Sequence, residues 1–283
     1  MYNLLLIYVV ILAGIFGAIG QYIDKLLVNK GISRSDYFYY MCLSMIPFST
    51  IMIIVEYYTN QLKFQLNIIP FILLAVAMFL RYKKQHTIVG CLKHLNPHED
   101  SAYLTLGIVI AFIIDIILGV EHFNMFAILS ILLTIIGVFT IANSKLKIKN
   151  LQKDLIIRIT TSLAMSYITH YMLQYWSNAV FIFVLNLFLT IIFSKKYDFK
   201  YHIKHKQIIK WVFIEQIFGF SSTYLSNYLA SNSVTLSSYV RPTSIIVVVI
   251  IAMFFKNKDR KPSIKQIIGI ILVVAGICLI NNI

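Results

Sequence analysis

The sequence predicts an all-α membrane protein with ten transmembrane helices, arranged as two inverted five-helix repeats. Three observations predict this class. Hydrophobic residues make up 59% of the 283 residues and charged residues only 13%, whereas a soluble domain carries roughly 25% charged residues. Apolar runs of membrane-spanning length recur along the whole chain. The two halves of the chain also end in similar sequences.

Ten apolar stretches use up the chain and leave no room for a separate soluble domain. A helix crosses the hydrocarbon core with about 20 such residues. The predicted spans are 3–28, 37–57, 66–95, 99–118, 124–143, 154–175, 178–194, 207–230, 232–255 and 263–280. The boundary between the repeats falls after Asn143, so residues 1–143 and 144–283 form the two five-helix units.

The closing helices of the two halves carry small residues at matching positions. Superposing Gly137 on Gly276 aligns Ser130 with Gly269, which places two small residues seven positions apart on one helix face. Such a face lets a neighbouring helix approach closely. The same superposition pairs polar residues in both halves, namely Asn124 with Ser263 and Asn143 with Asn282. Because five is an odd number of spans, the second repeat runs in the opposite direction, as in many secondary transporters.

Lys and Arg residues concentrate in the loops that follow the odd-numbered spans, whereas the opposite side has Lys63 alone. By the positive-inside rule, the odd loops are cytoplasmic and both termini lie outside. We therefore expect a multi-pass protein of the plasma membrane, with the lipid bilayer as its surroundings. Orientation in the membrane also explains the net charge of +14, so nucleic acid is not an expected partner.

A basic stretch, residues 79–95, interrupts the third predicted span. Arg81 and Lys84 share one helix face with Gln85, whereas Lys83 points elsewhere. One interpretation makes this face a cationic wall for an anionic substrate. The alternative is that the helix leaves the membrane just before Arg81. Its apolar part would then span only about 20 Å of a core of roughly 30 Å, which favours the pocket.

Two further charged residues lie inside predicted spans of the second half. Arg241 lies nine residues into the ninth span beside Pro242, which permits a local break. It either contacts substrate, which we favour, or pairs with an acid or reaches the membrane surface. Glu215 lies in the eighth span. It either couples transport by exchanging protons or serves as a charge partner for Arg81 or Arg241.

The sixth span is unusually polar. Ser162, Ser166 and His170 fall on one helical stripe, and Tyr167 adds aromatic surface. The stripe either lines a cavity or helps helices to pack. We favour the cavity and assign Tyr167 to substrate binding.

The remaining charged and metal-ligating residues predict no catalysis. Asp115 and Asp24 lie near span ends, where an interfacial position is expected. His94 and His98 lie at a helix boundary marked by proline, and we expect no metal site there and no cofactor. The sequence contains no catalytic triad pattern, phosphate-binding glycine loop or zinc motif.

Two stretches carry short motifs of a known family. Cys91-Leu-Lys-His-Leu-Asn-Pro97, followed by Gly119-Val-Glu121 and the helix with Gly137, resembles the ALKYLSP…GE…G pattern of EamA-type members of the drug/metabolite transporter superfamily. The segment from Val240 to Gly276 is similar to the sugar-phosphate and nucleotide-sugar branch. In that branch a basic residue of the ninth helix meets the phosphate, and the resemblance assigns this role to Arg241. It also implies a ten-helix carrier.

The sequence thus predicts a secondary transporter of a small polar metabolite, anionic through carboxylate or phosphate, that works by alternating access. Arg81, Lys84 and Arg241 would neutralise the anion, Tyr167 would contribute to selectivity, and Glu215 would couple transport or balance charge. The alternatives are an exporter of amino acids or other small metabolites, a flippase for a phosphate-bearing lipid and, less favoured, an integral membrane enzyme. Whether the chain forms a homodimer is left open.

Overall fold

The described part of the chain folds into helices. The structure is a computed structural model that describes residues 4–95, 97–142, 153–194, 202, 205–255 and 263–279. Within these ranges there is no β-strand, only an isolated bridge between Phe64 and Trp176, so the all-α class is confirmed. The helices are α1 (Leu4–Asn29), α2 (Arg34–Tyr58), α3 (Ile68–His94), α4 (Pro97–Thr105), α5 (Gly107–Ile117), α6 (Met125–Ala142), α7 (Lys153–Met172), α8 (Asn178–Phe193), α9 (Lys206–Asn232), α10 (Val234–Ser238), α11 (Val240–Phe255) and α12 (Ile264–Leu279).

Each predicted span contains helix, and two of them are interrupted. The fourth span is divided at Leu106 into α4 and α5, and the ninth is divided at Tyr239 into α10 and α11. Proline has no N–H to donate to the carbonyl four residues earlier. Pro242 therefore weakens the helix on its N-terminal side, where the interruption at Tyr239 lies. The two interruptions occupy corresponding spans of the two halves.

Several helices are long and apolar enough to cross a membrane, as in a multi-pass membrane protein. Four such stretches are Leu4–Asn29, Arg34–Tyr58, Glu99–Ile117 and Met125–Ala142, and three shorter apolar ones are Asn178–Phe193, Val234–Ile250 and Ile264–Leu279. Helices α3, α7 and α9 have 27, 20 and 27 residues but are more polar. Some of their polar residues, among them Arg81, Arg158 and Ser222, line the interior cavities described below.

The main helix contacts cross between the two halves of the chain. The principal pairs are α6 with α12, α1 with α9, α3 with α7, α2 with α8, α1 with α11, and α4 with α11. Exchanging the halves turns the pair α1–α9 into the pair α7–α3, which is also present. It leaves α2–α8 and α6–α12 unchanged.

Helices α6 and α12 meet along a glycine seam formed by Gly137, Gly269 and Gly276. A Cβ atom added at Gly137 would lie 2.7 Å from the carbonyl oxygen of Gly269, and one added at Gly276 would lie 2.8 Å from that of Ser130. Both distances are too short for any side chain. The close approach predicted for these small residues is therefore present, and the two helices contact each other along it. Asn143 and Asn282, the last predicted match, lie outside the described residues.

Two buried carboxylates hold helix N-termini of the second half. Asp115, near the end of α5, accepts hydrogen bonds from the N–H and hydroxyl of Thr235, both at 2.7 Å, and from the Ser233 hydroxyl at 3.2 Å. Glu56 of α2 accepts bonds from the Ala179 N–H at 2.9 Å and the Ser177 hydroxyl at 2.5 Å. Negative charge at a helix N-terminus is stabilising. Because both carboxylates belong to the first half and both helix N-termini to the second, these contacts connect the two halves.

Most of the lysines on which the membrane orientation depends lie outside the described residues, in the ranges 143–152, 195–201, 203–204 and 256–262. The ten membrane crossings, their inverted arrangement and the position of the termini stay predictions.

Candidate functional site

Two cavities lie between the halves and share six lining residues, namely Met45, Arg81, Lys84, Ser222, Thr223 and Arg241. We call Arg81, Lys84 and Arg241 the basic junction. One cavity extends from it toward the C-terminal ends of α7 and α9, and the other extends toward the C-terminal end of α1 and the N-terminal end of α2. The three basic residues therefore lie between the two spaces.

The first cavity, which we call the hydroxyl cavity, has an empty volume of about 1060 Å³ including its mouth. Short polar side chains dominate one part of its wall, and they are Ser162, Ser166, Thr169, Asn186, Ser222, Thr223, Ser226, Asn227, Ser237 and Ser238. Apolar residues such as Phe181 complete the lining. Such a wall offers hydrogen bonds to an uncharged polar group without adding charge.

The second cavity, which we call the charged cavity, has an empty volume of about 560 Å³. Its ionisable lining side chains are basic at Arg81, Lys84, Arg158 and Arg241 and acidic at Asp24 and Glu215, and Tyr37 also borders it. Cations therefore outnumber carboxylates in the wall. This excess favours an anionic occupant.

Arg81 lies at the middle of α3. It is midway between Ile68 and His94 in α3, a helix of about 40 Å at 1.5 Å per residue. Only 5% of Arg81 is exposed. Its Nη2 lies 3.2 Å from the Met45 sulfur, and its buried Nε has no hydrogen-bond partner within the described residues. The helix thus continues well past Arg81, and the point at which it leaves the membrane stays a prediction.

The other polar residues of this stretch divide between two faces, as the helical spacing predicts. Lys84 and Gln85 line the charged cavity with Arg81. Lys83 is exposed on another face, where its Nζ lies 5.6 Å from the centre of the Phe79 ring. His86 stacks on Tyr82. Neither Lys83 nor His86 lines either cavity.

Arg241 enters the basic junction from the opposite half of the chain. It is the second residue of α11, just after the interruption at Tyr239. Among the described residues, neither Arg241 nor Lys84 forms an ion pair or a side-chain hydrogen bond. The junction therefore combines cations from α3 and α11 without a carboxylate bound directly to any of them.

Glu215 lies in the wall of the charged cavity, where α9 approaches α1. It is 4% exposed, and its carboxylate accepts a hydrogen bond from the amide of Gln216. A Cβ atom added at Gly20 would lie 3.2 Å from Glu215 Oε1, so the glycine leaves room for the carboxylate. Among the described residues, Glu215 forms no ion pair with Arg81 or Arg241 at salt-bridge distance, and its proposed roles stay predictions.

Asp24 is enclosed by the protein, and its expected position at the membrane interface stays a prediction. It is 7% exposed, lines the charged cavity and accepts a hydrogen bond of 2.6 Å from the Tyr37 hydroxyl. It lies near the end of α1, and the packing of α1 against α9 and α3, together with the hydrogen bond to Tyr37, encloses it.

Arg158 is a residue of this site that the sequence analysis missed. It is 3% exposed on α7 and borders the charged cavity, and its Nη1 lies 2.6 Å from Asp100 Oδ1. An arginine inside a predicted span is itself a signal of a functional or paired charge. The interpretation of this span as a cavity lining rested on its hydroxyl residues and did not include Arg158.

Tyr167 is not brought to the cavities. Its hydroxyl donates to Asp115 Oδ1 at 2.8 Å and to the Ala111 carbonyl at 3.0 Å, and Tyr167 is absent from both linings. Asp115 is 1% exposed and caps the N-terminus of α10, and its expected position at the membrane interface stays a prediction. Ser162 and Ser166 of the predicted stripe do line the hydroxyl cavity, whereas the His170 ring contacts the Ala230 carbonyl.

The described residues contain no group of three or more His, Cys, Asp or Glu side chains that could hold a metal ion. His94 is exposed at the end of α3, and the side chain of His98 lies outside the described residues.

The arrangement at the junction is costly without a bound anion. A buried cation loses much of its hydration, and only a counter-charge with good hydrogen bonds restores that energy. Arg81 also presents a planar fork of donors that suits carboxylate or phosphate oxygens. The site can therefore bind an anion at the junction and a polar group in the hydroxyl cavity.

No protein-family model matches the chain, and no curated protein matches it.

Proposed function

We propose that the protein is a secondary transporter of a small polar anion, carboxylated or phosphorylated, which it binds at the basic junction. It works as a ten-span inverted-repeat carrier of the drug/metabolite transporter type. The observation that carries the proposal is the basic junction itself. Three cations from two halves of the chain lie between two cavities, without a directly bound carboxylate among the described residues.

Two features of the fold support the carrier architecture. Five of the six principal helix pairs are preserved when the halves are exchanged, and the pair of α1 with α11 is the exception. The fourth and ninth spans, which correspond to each other, are both interrupted next to the cavities. Interrupted helices in corresponding positions of two repeats are typical of substrate sites in secondary transporters.

The position of the junction supports alternating access. A bound anion would be reached from the hydroxyl cavity in one state and from the charged cavity in the other, as the two halves rock about the site. Because the sequence has no nucleotide-binding motif, transport is driven by exchange or by an ion gradient. Glu215 is the candidate proton-coupling group.

The lysine distribution assigns the charged cavity to the cytoplasmic side of the plasma membrane and both termini to the outside. Cysteine labelling tests this orientation. A membrane-impermeant reagent added to intact cells should label a cysteine at Asn60 and not one at Lys93; the reverse pattern would contradict it.

Binding can be measured by a thermal-shift screen of the purified protein against phosphorylated sugars, nucleotides, organic acids and amino acids. A ligand that binds only the folded state raises the melting temperature. We expect anionic compounds to give the largest shifts and to be taken up by reconstituted vesicles. Arg81→Gln, Lys84→Gln and Arg241→Gln should each lower the affinity at least tenfold, since a lost charge-assisted contact costs about 1.5–3 kcal/mol.

Lys83→Gln is the matched control because Lys83 precedes Lys84 but faces away from the cavities. It should bind and transport as the wild type does. Equal shifts in the wild type and the three junction variants, or a larger shift with an uncharged compound, would contradict the anion site.

A further inference from the structure

The ion pair between Arg158 and Asp100 borders the charged cavity and joins the two halves. Arg158 belongs to α7 and Asp100 to α4, and their side chains are 3% and 0% exposed. Arg158 lines the cavity together with Lys84 and Arg241, whereas Asp100 lies behind it and does not line the cavity.

This pair uses only part of the bonding capacity of both partners. One contact joins Arg158 Nη1 to Asp100 Oδ1 at 2.6 Å. The buried Nε of Arg158 and the buried Oδ2 of Asp100 have no hydrogen-bond partner among the described residues. An arginine paired with a carboxylate for stability alone commonly presents two parallel N–H donors to it. Here the single contact from Nη1 leaves the pair without the second parallel bond.

Other groups around the cavity favour an anion as that acceptor. Arg158 and Arg241 are close enough to repel each other, and Asp24 and Asp100 attract both of them. Of these two acids, Asp24 is already hydrogen-bonded to Tyr37. An anion placed among Arg158, Lys84 and Arg241 would relieve the repulsion and use the remaining donors.

Other residues in the wall of the charged cavity also have buried polar atoms without a partner among the described residues. Five residues that line the charged cavity each have a buried side-chain atom without a partner among the described residues, namely Gln21, Arg81, Gln85, Arg158 and Gln216. Buried polar atoms in native proteins are nearly always bonded to protein, water or ligand. The polar groups of this wall are therefore incompletely bonded within the described residues.

We propose that the charged cavity contains a second anion position at Arg158, and that Asp100 is the counter-ion which holds Arg158 until the anion arrives. The inference rests on the proposed transport of an anion and adds a step to it. The anion moves from Arg81 and Lys84 to Arg158 on its way through the charged cavity, while Arg241 contacts it at both positions. Asp100 then competes with the anion for Arg158 and prevents it from being held too tightly.

The test measures the affinity for inorganic phosphate in the purified full-length chain, by binding of radiolabelled phosphate at constant ionic strength. Asp100→Asn removes the competing charge but keeps the shape of the side chain, and should tighten binding roughly fivefold to tenfold, as expected for release of one charged partner. Arg158→Lys should weaken binding because lysine lacks the planar fork of donors. In the Arg158→Lys background, Asp100→Asn should have a much smaller effect.

A purely structural ion pair gives a different result. Asp100→Asn would then lower the melting temperature and leave phosphate affinity unchanged or weaker, and that outcome overturns the inference. Arg81→Gln serves to separate the two proposals. If it abolishes phosphate binding while Asp100→Asn has no tightening effect, the junction stands and the second position fails. If neither the wild type nor Asp100→Asn binds phosphate, the anion site itself is contradicted.

Discussion

Asp115 and Arg81 are both buried ionisable side chains, but their surroundings differ. Asp115 is 1% exposed and accepts hydrogen bonds from Thr235, Ser233 and Tyr167. Arg81 is 5% exposed and has two methionine sulfurs as its hydrogen-bonding neighbours, at 3.2 and 4.0 Å from Nη2. A thioether is a weak acceptor. Asp115 is hydrogen-bonded to strong donors, whereas Arg81 has only these weak acceptors among the described residues.

This difference distinguishes charges that stabilise the fold from charges that we propose bind a ligand. Glu56 belongs with Asp115, because it accepts bonds from Ser177, Ala179 and Tyr224. Lys84 and Arg241 belong with Arg81. Removing a charge from the first group leaves donors without an acceptor, whereas removing one from the second group leaves nothing unpaired. The two groups should therefore respond to substitution with opposite signs.

The largest effect is expected for Asp115→Ala. The substitution deprives the Thr235 N–H and the hydroxyl groups of Thr235 and Ser233 of their acceptor inside the protein, and leaves the Tyr167 hydroxyl with the Ala111 carbonyl alone. We expect the free energy of unfolding to fall by about 3–5 kcal/mol, the range for breaking a buried charged contact. Denaturation in detergent micelles, followed by circular dichroism, measures it. A loss below about 1 kcal/mol would show that Asp115 is not a structural charge.

Arg241→Met should have a smaller effect of the opposite sign. Methionine fills a similar volume and removes a poorly hydrated charge, so we expect a gain of about 1–2 kcal/mol in the free energy of unfolding. The same variant should lose anion binding. If Arg241→Met is less stable than the wild type, Arg241 is a structural charge like Asp115, and the distinction between the two groups of charges fails.

The smallest effect is expected for Arg34→Gln. Arg34 pairs with Asp154 at 2.7 Å, but the two side chains are 36% and 26% exposed. Solvent screens such a pair, and we expect a change below about 1 kcal/mol in unfolding free energy. This variant is a reference for Asp115→Ala and Arg241→Met, because it removes a partly exposed ion pair and leaves the buried charges intact. If Arg34→Gln lowers the free energy of unfolding as much as Asp115→Ala does, burial does not explain the difference between the two charges.

The local geometry of α3 could be predicted from sequence because helical spacing fixes which residues share a face. Arg81, Lys84 and Gln85 lie on one side and Lys83 on another, as the structure shows. The same rule explains why Tyr167 does not line the hydroxyl cavity with Ser162 and Ser166. It follows Ser166 by one residue and is therefore rotated by about 100° around the helix, away from the stripe that lines the hydroxyl cavity.

Contacts between distant parts of the chain could not be predicted in this way. Asp115 meets Thr235 across 120 positions of sequence, and Arg158 meets Asp100 across 58. No periodicity within one helix carries that information. The polarity of the sixth span indicated a cavity, but only the packing of α7 against α3 and α4 shows that Arg158 reaches the charged cavity and Tyr167 does not.

The glycine seam also constrains the order in which the protein can assemble. Helix α6 ends at Ala142 and its partner α12 begins at Ile264, so the seam cannot close until the intervening helices have been synthesised. At ~5–20 residues per second this takes on the order of 10 seconds. If α6 crosses the membrane as predicted, its small-residue face contacts lipid or another helix during that interval. A bulky side chain at Gly137 would therefore be tolerated during insertion and would cause failure only at the final docking step.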